Sequence, residues 1–386
     1  MLKGKGHYLK EITAQTRLRS VEVGRELEGS CPPSVFIGAW NYPKVYAGPM
    51  MTPYHGDTAV FDTPEEWIPS DKTQENIINY RLSLVRGKHP VKVTDTEDGL
   101  VAKLREISMA KESIESEARF SHEPKGLTLS DEHTPHGPSA LIERFEIENC
   151  RWDKPLEKAY YDTDLKASDA VMELYGDGVP FSRIQKAFSV GCMGDKRRRR
   201  LVPTRWSITA CDSTLGNRLL QNVRHNDIVD CYRTYEFDSL NNRYAVMLTP
   251  TAWQYEWTEA FRHIIGDEEL IFSDHESNAG KKGYSTVGGC YYSCKFAVLE
   301  ALERMKKQAG AIILREAYKG YIPLGVFNVR ENVRAALRGE ATEHNSLKDA
   351  LADVGSRMRL PRDRYMRETE LLKEMIRGTQ TTLTAY

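Results

Sequence analysis

Apolar and polar positions in this chain change period often, which predicts short, mixed elements rather than one repeated unit. Val35–Trp40 and Val45–Ala47 are β-rich runs around Asn41-Tyr-Pro-Lys44, a pattern that predicts a hairpin. Gly38 inside the first run marks a bulge or a close approach of backbone to a ligand, and Gly48-Pro49 ends the second. Helical spacing is weak over Thr13–Glu28 and clearer over Pro64–Val85, with Ser70 or Asp71 as cap. It returns at Asp98–Glu117, Lys166–Tyr175 and Pro180–Ser189, while Leu141–Ile147 reads as a strand. Trp206–Ala210 alternates like a strand, and Asp212-Ser-Thr then caps a helix over Leu215–Val223. Asp230–Glu236 and Arg243–Leu248 read as paired strands. Thr251–Ile265, with Trp253, Tyr255, Trp257 and Phe261, reads as an aromatic core helix. Further on, Lys281–Leu302 joins a turn to a helix, Ala311–Tyr318 is a strand, and Glu331–Arg338 and Ser346–Val354 are helices. Strands and helices alternate without regular βαβ spacing, so the expected class is α/β or α+β, a mixed sheet with surrounding helices and a flexible C-terminal tail.

Composition narrows the class without naming a function. At 386 residues, 40% hydrophobic and 28% charged, the chain supports one large domain or two ordinary ones. We expect a globular body over 1–354, with a possible subdivision near Asn149–Asp153, a basic helical neck over 355–379 and a tail over 380–386. No apolar run approaches the roughly 20 residues that span a bilayer, and no signal core stands at the N-terminus, so a cytoplasmic protein without a membrane partner is expected. The formal net charge of −1 means that any nucleic-acid binding needs a local patch. Seven scattered cysteines contain no C-x-x-C pair, which suits a reducing compartment and argues against a zinc ribbon. Cys290 and Cys294, four apart, read as small buried residues.

The densest chemistry lies at Gly194–Gly216. Five cations, Lys196 to Arg200, precede Pro203-Thr-Arg-Trp206 and Asp212-Ser-Thr214. Guanidinium forks beside a capped helix N-terminus hold phosphate oxygens, which makes Arg198, Arg200, Arg205, Ser207, Thr209, Ser213 and Thr214 candidate phosphate or nucleotide ligands. The turn before the helix at 289 offers Ser285, Thr286, Gly288 and Gly289 as an anion cradle. It has neither the Walker spacing nor G-x-G-x-x-G. Asp212, Asp274, His275 and Glu276 are candidate acid–base groups, since a carboxylate beside an imidazole suits proton transfer. His133 and His136, beside Asp131 and Glu132, have spacing that can reach one ion. Pro135 between them forbids a regular helix, so this segment reads as a loop lining a site, and no metal is assigned. No cofactor follows from any of these patterns.

Gln380, Leu383 and Tyr386 stand at i, i+3 and i+6 in the last seven residues. One tight turn sends Leu383 and Tyr386 the same way, leaving Gln380 to hydrogen-bond at a pocket rim. This resembles the motif by which replication and repair proteins bind the sliding clamp PCNA, with one aromatic where the fuller version has two. Several stretches together resemble the archaeal Nre family of DNA repair proteins. They are Pro32-Pro-Ser-Val-Phe-Ile-Gly38, Tyr46-Ala-Gly-Pro-Met50, Gly137-Pro-Ser-Ala140, Leu201-Val-Pro-Thr-Arg-Trp-Ser-Ile-Thr209, Tyr284-Ser-Thr-Val-Gly-Gly-Cys-Tyr-Tyr292 and Tyr321–Asn332. The resemblance implies a PCNA-interacting repair factor whose clamp motif falls on Gln380, Leu383 and Tyr386. Many members carry a cysteine-rich zinc module before the Pro-Pro-Ser segment. This chain keeps only Cys31 there and resembles the branch without zinc.

Two functional classes follow, besides a clamp-tethered scaffold with no catalysis. One is a repair factor recruited by PCNA that binds DNA or nucleotide through its body. The other is a phosphodiester hydrolase in which Arg198, Arg200 and Arg205 hold phosphate while Asp212, Asp274, His275 or Glu276 handle protons or a metal.

Overall fold

The computed structural model describes residues 5–384, with side chains to Arg377. It is a mixed α/β structure with two six-stranded sheets and surrounding helices. Contacts divide it into Arg17–Leu215 and a second unit of Met1–Thr16 with Gly216–Tyr386. Asn149–Asp153 therefore lies inside the first unit.

In the first unit the strands are β1 (Glu26–Cys31), β2 (Val35–Ile37), β3 (Lys44–Met51), β4 (Val85–Lys92), β5 (Ile114–Phe120) and β6 (Ser139–Ile147). They run in the order β1-β5-β6-β4-β3-β2, and only the β4/β6 pairing is parallel. The hairpin is as expected, with Ile37 opposite Ala47, although β3 continues through Gly48-Pro49. The helix expected over Thr13–Glu28 is replaced by Lys5–Gln15 and by β1, because Leu27 belongs to a period-two pattern. Pro64–Val85 splits into Pro64–Trp67 and Gln74–Leu82 around Asp71, which has positive φ. Thr73, not Ser70 or Asp71, caps the second helix. The helix begun at Asp98 stops at Met109, since Ile114, Ser116, Ala118 and Phe120 then alternate inward as β5.

The main correction concerns Trp206–Ala210. It is not a strand but part of one 20-residue helix, Thr204–Val223. Pro203, immediately before the helix, accepts the Trp206 and Ser207 N–H groups at 2.9 Å each. The helix start therefore lies at Thr204, and Asp212, Ser213 and Thr214 sit in its interior.

The second unit contains β7 (Tyr232–Ser239), β8 (Asn242–Thr249), β9 (Tyr255–Arg262), β10 (Glu269–Glu276), β11 (Gly310–Ala317) and β12 (Thr342–His344), ordered β10-β9-β11-β8-β7-β12. Leu240 and Asn241, both at positive φ, make the two-residue turn between β7 and β8. The aromatic run expected as a helix leads into β9 from Trp253, since Trp253, Tyr255, Trp257 and Phe261 fall at even spacings. All four are buried. One face of this sheet meets the helix Gly289–Met305, where the Tyr255 hydroxyl donates to the Tyr291 carbonyl at 2.9 Å. The other face, with Ala245, Met247, Ala260, Ile312 and Leu314, is covered by the helices Leu347–Arg357, Arg362–Glu368 and Leu371–Thr384. Within residues 355–379, expected as a neck, Met358, Leu360, Tyr365, Leu371 and Leu372 are thus buried in that core.

Glu256 on β9 fixes the last helix. Its buried carboxylate accepts the backbone N–H groups of Glu370, Leu371 and Leu372 at 2.6, 3.3 and 3.1 Å, a buried counterpart of an N-cap. Glu256→Ala should therefore destabilise the protein by about 2–4 kcal/mol, since charged hydrogen bonds are lost and buried donors are orphaned. Urea unfolding measures the loss, and limited proteolysis should cut first between the helices ending at Glu368 and beginning at Leu371.

Candidate nucleic-acid interface

Three segments of the first unit are tied edge to edge by the backbone. Val93 N–H reaches the Pro43 carbonyl at 2.9 Å, Leu201 N–H reaches the Val93 carbonyl at 2.8 Å, and Ile37 N–H reaches Thr204 Oγ at 2.9 Å. These bonds gather the hairpin turn, the end of β4 and the start of the Thr204–Val223 helix. The side chains that result are aromatic and cationic. Trp40 at the turn is 76% exposed, Tyr42 45% and Trp206 40%, and the Tyr42 and Trp206 rings lie 5.0 Å apart. Lys44 and Lys92, which are register partners, and Arg200 are exposed beside them. None of these three cations has a carboxylate partner among the described residues. Large aromatic surface left in water beside free cations suits unpaired bases and backbone phosphates. Of this group the sequence marks Arg200. Trp40 and Tyr42 are not singled out by the sequence reading, and the signal that could have found them is an aromatic pair at a polar turn.

Behind the patch, one face of β3 and β4 carries Arg86 and Lys88. Arg86 is 9% exposed and lies 4.1 Å over the Phe36 ring. Its Nη2 donates to the Tyr46 carbonyl at 3.0 Å, and its Nε has no partner. Burial lowers it to about 10, so it stays charged at neutral pH. Lys88 is lowered by burial and by Arg86. His133 and His136 each meet Phe36 edge-on, and each ring engages a neighbouring carbonyl through Nδ1 at 2.9 Å. Burial, with Arg86 and Arg81 nearby, pushes His133 down to about 4 and His136 well below its usual value. The adjacent cations make this loop a poor metal site.

The remaining expected residues are dispersed. Arg198 is exposed beside Asp195 at 3.8 Å, and Arg205 pairs with Glu132 at 3.2 Å. Ser207 is buried, donating to the Thr204 carbonyl and accepting from Gln185. Thr209 donates weakly to the Arg205 carbonyl at 3.5 Å, and Asp212 is buried. In the second unit the Ser285–Gly289 turn encloses an anion of the chain itself. Asp274 accepts from Ser285 Oγ at 2.6 Å, Thr286 N at 3.0 Å and Lys281 Nζ at 2.6 Å. Burial alone would raise Asp274, but these donors hold it below the usual carboxylate range. Gly288, at positive φ, precedes Gly289, which opens the helix Gly289–Met305. Glu276 is buried with Trp253 Nε1 at 2.9 Å, Tyr291 OH at 3.0 Å and Lys295 Nζ at 2.6 Å. His275 lies between these two carboxylates on β10, on the opposite face of the strand. Cys290 and Cys294 are buried, and Lys5 Nζ lies 3.7 Å from Cys290 Sγ. Gln380, Leu383 and Tyr386 lie outside the residues whose side chains are described.

Residues 5–264 match the family model described as archaeal Nre, N-terminal, and residues 276–386 match archaeal Nre, C-terminal. The chain is 37% identical over 374 residues to "DNA repair protein NreB" of Archaeoglobus fulgidus, covering 94% of this chain and 92% of that one. It is 32% identical over 358 residues to "DNA repair protein NreA" of Haloferax volcanii, covering 89% and 85%. No solved structure matches the chain.

The two imidazoles make a pH prediction. Their folded pKa values are depressed, so the unfolded chain binds their protons first, near pH 6.5, and their contribution to stability is lost as pH falls from there towards 4. The loss by pH 5 is at most about 2 kcal/mol per ring. Urea midpoints should fall between pH 7 and pH 5, and less steeply in a His133→Asn, His136→Asn variant.

Proposed function

The chain belongs to the archaeal Nre family, and on that premise we propose that it acts in DNA repair as a DNA-binding factor held at the sliding clamp PCNA by Gln380, Leu383 and Tyr386. The observation that carries the DNA-binding reading is the exposed cluster of Trp40, Tyr42 and Trp206 among Lys44, Lys92 and Arg200. The names of its relatives as DNA repair proteins support the process. The preferred DNA has unpaired bases, because ring faces stack on bases that are not already stacked in a duplex. The clamp reading rests on the spacing of the tail. The hydrolase alternative has less support, because Asp274 and Glu276 already have donors from their own unit.

Trp40→Ala and Trp206→Ala should each weaken single-stranded DNA binding by roughly 5- to 100-fold, the range of one lost base stack. Anisotropy titration of a labelled oligonucleotide measures this, and unchanged affinity in both variants would remove the patch from the interface. Lys44→Gln with Lys92→Gln should lower the slope of log affinity against log salt by about 1.4. Leu383→Ala with Tyr386→Ala should abolish PCNA binding in calorimetry while DNA binding persists.

A further inference from the structure

Two buried arginines of the first unit have opposite surroundings. Arg81 is neutralised by Asp62 and also donates to the carbonyls of Pro135 and Phe61 at 2.8 and 3.0 Å. Arg86 is nine-tenths buried, makes one hydrogen bond, leaves Nε unpartnered, and meets no carboxylate among the described residues. A buried charge without a counter-charge is costly, and Lys88 on the same strand face increases the cost, while the two imidazoles at the ring below it supply no negative charge to offset it. Gly38 gives the guanidinium its room, since a Cβ there would stand 3.1 Å from Nη2.

We propose that Arg86 and Lys88, with His133 and His136 beside them, form a receptor for a phosphate monoester, either the terminal phosphate of a DNA strand or that of a free nucleotide. The guanidinium has donors left over in a fork that matches phosphate oxygens. Each imidazole spends its Nδ1–H on a carbonyl, so Nε2 is a bare acceptor in the neutral ring and donates to a phosphate oxygen only after taking up a proton, which a bound anion beside it favours. A monoester fits better than an internucleotide diester. It carries nearly two charges against the two cations Arg86 and Lys88, and it has chain on one side only, so it can approach a nine-tenths-buried guanidinium more closely than a continuous backbone can. A metal ion is disfavoured there by the same cations. The strand-terminus source rests on the DNA-binding reading above, whereas the receptor itself does not.

Thermal unfolding of the full chain tests the receptor. Inorganic phosphate should raise Tm saturably over chloride at matched ionic strength, and Arg86→Met should abolish the rise. A second arm compares single strands ending in 5′-phosphate, 3′-phosphate or hydroxyl. The wild type should prefer a phosphorylated end at least tenfold, Arg86→Met should lose the preference, and Trp206→Ala should weaken all strands alike while keeping it. A phosphate or nucleoside monophosphate response without end preference retains the receptor and assigns it to free nucleotide. No saturable response in the wild type, or an equal one in Arg86→Met, overturns the proposal. Should Arg86→Met fail to fold, Lys88→Met at its partly exposed neighbour takes its place with the same expected losses.

Discussion

The Asp62 carboxylate organises the first unit. Burial pushes it up, yet Arg81 and Lys186 hold it below the usual carboxylate range. Lys186 reaches it at 2.8 Å, and Arg81 and Ser34 complete the set. Each partner comes from a different place: the lead into β2, the helix Gln74–Leu82 and the helix Phe181–Ser189. Through Arg81 the network also holds Pro135, in the loop that carries His133 and His136. Removing one member of such a buried set strands the others, at a cost of about 3–5 kcal/mol. The loop, the hairpin and the Arg86 face therefore stand in fixed relation because one carboxylate satisfies two cations.

That arithmetic also sets the local field. Two cations share Asp62, while Arg86 and Lys88 have no carboxylate of their own among the described residues, so this region is positive within a chain of net charge −1. The second unit follows the opposite rule. Glu259 is matched by Arg315 at 2.9 Å and Lys5 at 2.5 Å. Glu316 accepts from Tyr365 OH at 2.7 Å and from the Leu360 and Arg359 N–H groups at 2.8 and 2.9 Å. With Glu256, these carboxylates use their lone pairs to dock helices against the sheet. Saturated charge is the mark of structure there, and unsaturated charge is what separates Arg86 from it.

The mixed class, the 35–47 hairpin and most helices between 166 and 189 were legible because each has a clean period or a capped end. The errors share a cause. Thr204–Val223 looked like strand then helix because Trp206, Ile208 and Ala210 alternate locally, although a proline-led start and twenty residues of tertiary support make one helix. The 253–261 aromatics were read as helix although their spacing of two, two and four fits a strand equally well. Only pairing with β11 on one side and β10 on the other decides it. Arg86 reads in the sequence as a basic group closing a helix near Gly87, and Lys88 carries no signal at all, whereas both lie on the strand Val85–Lys92. The meaning of Arg86 lies in what fails to surround it.

The Lys196–Arg200 run shows why charge density in sequence is a poor guide to charge available for binding. Arg199 spends its donors on the carbonyls of Gly194, Tyr160 and Asp162, and its guanidinium lies over the Tyr160 ring. Arg198 faces Asp195, and of the exposed members Arg200 joins the aromatic patch because the next residue, Leu201, is bonded to Val93 at the end of β4. The other cations of that patch come from residues 44 and 92, which the sequence separates by 48 positions and the β3/β4 register makes neighbours. Backbone pairing, rather than local clustering, assembles the positive surface. It does so beside the rings that have no core to enter.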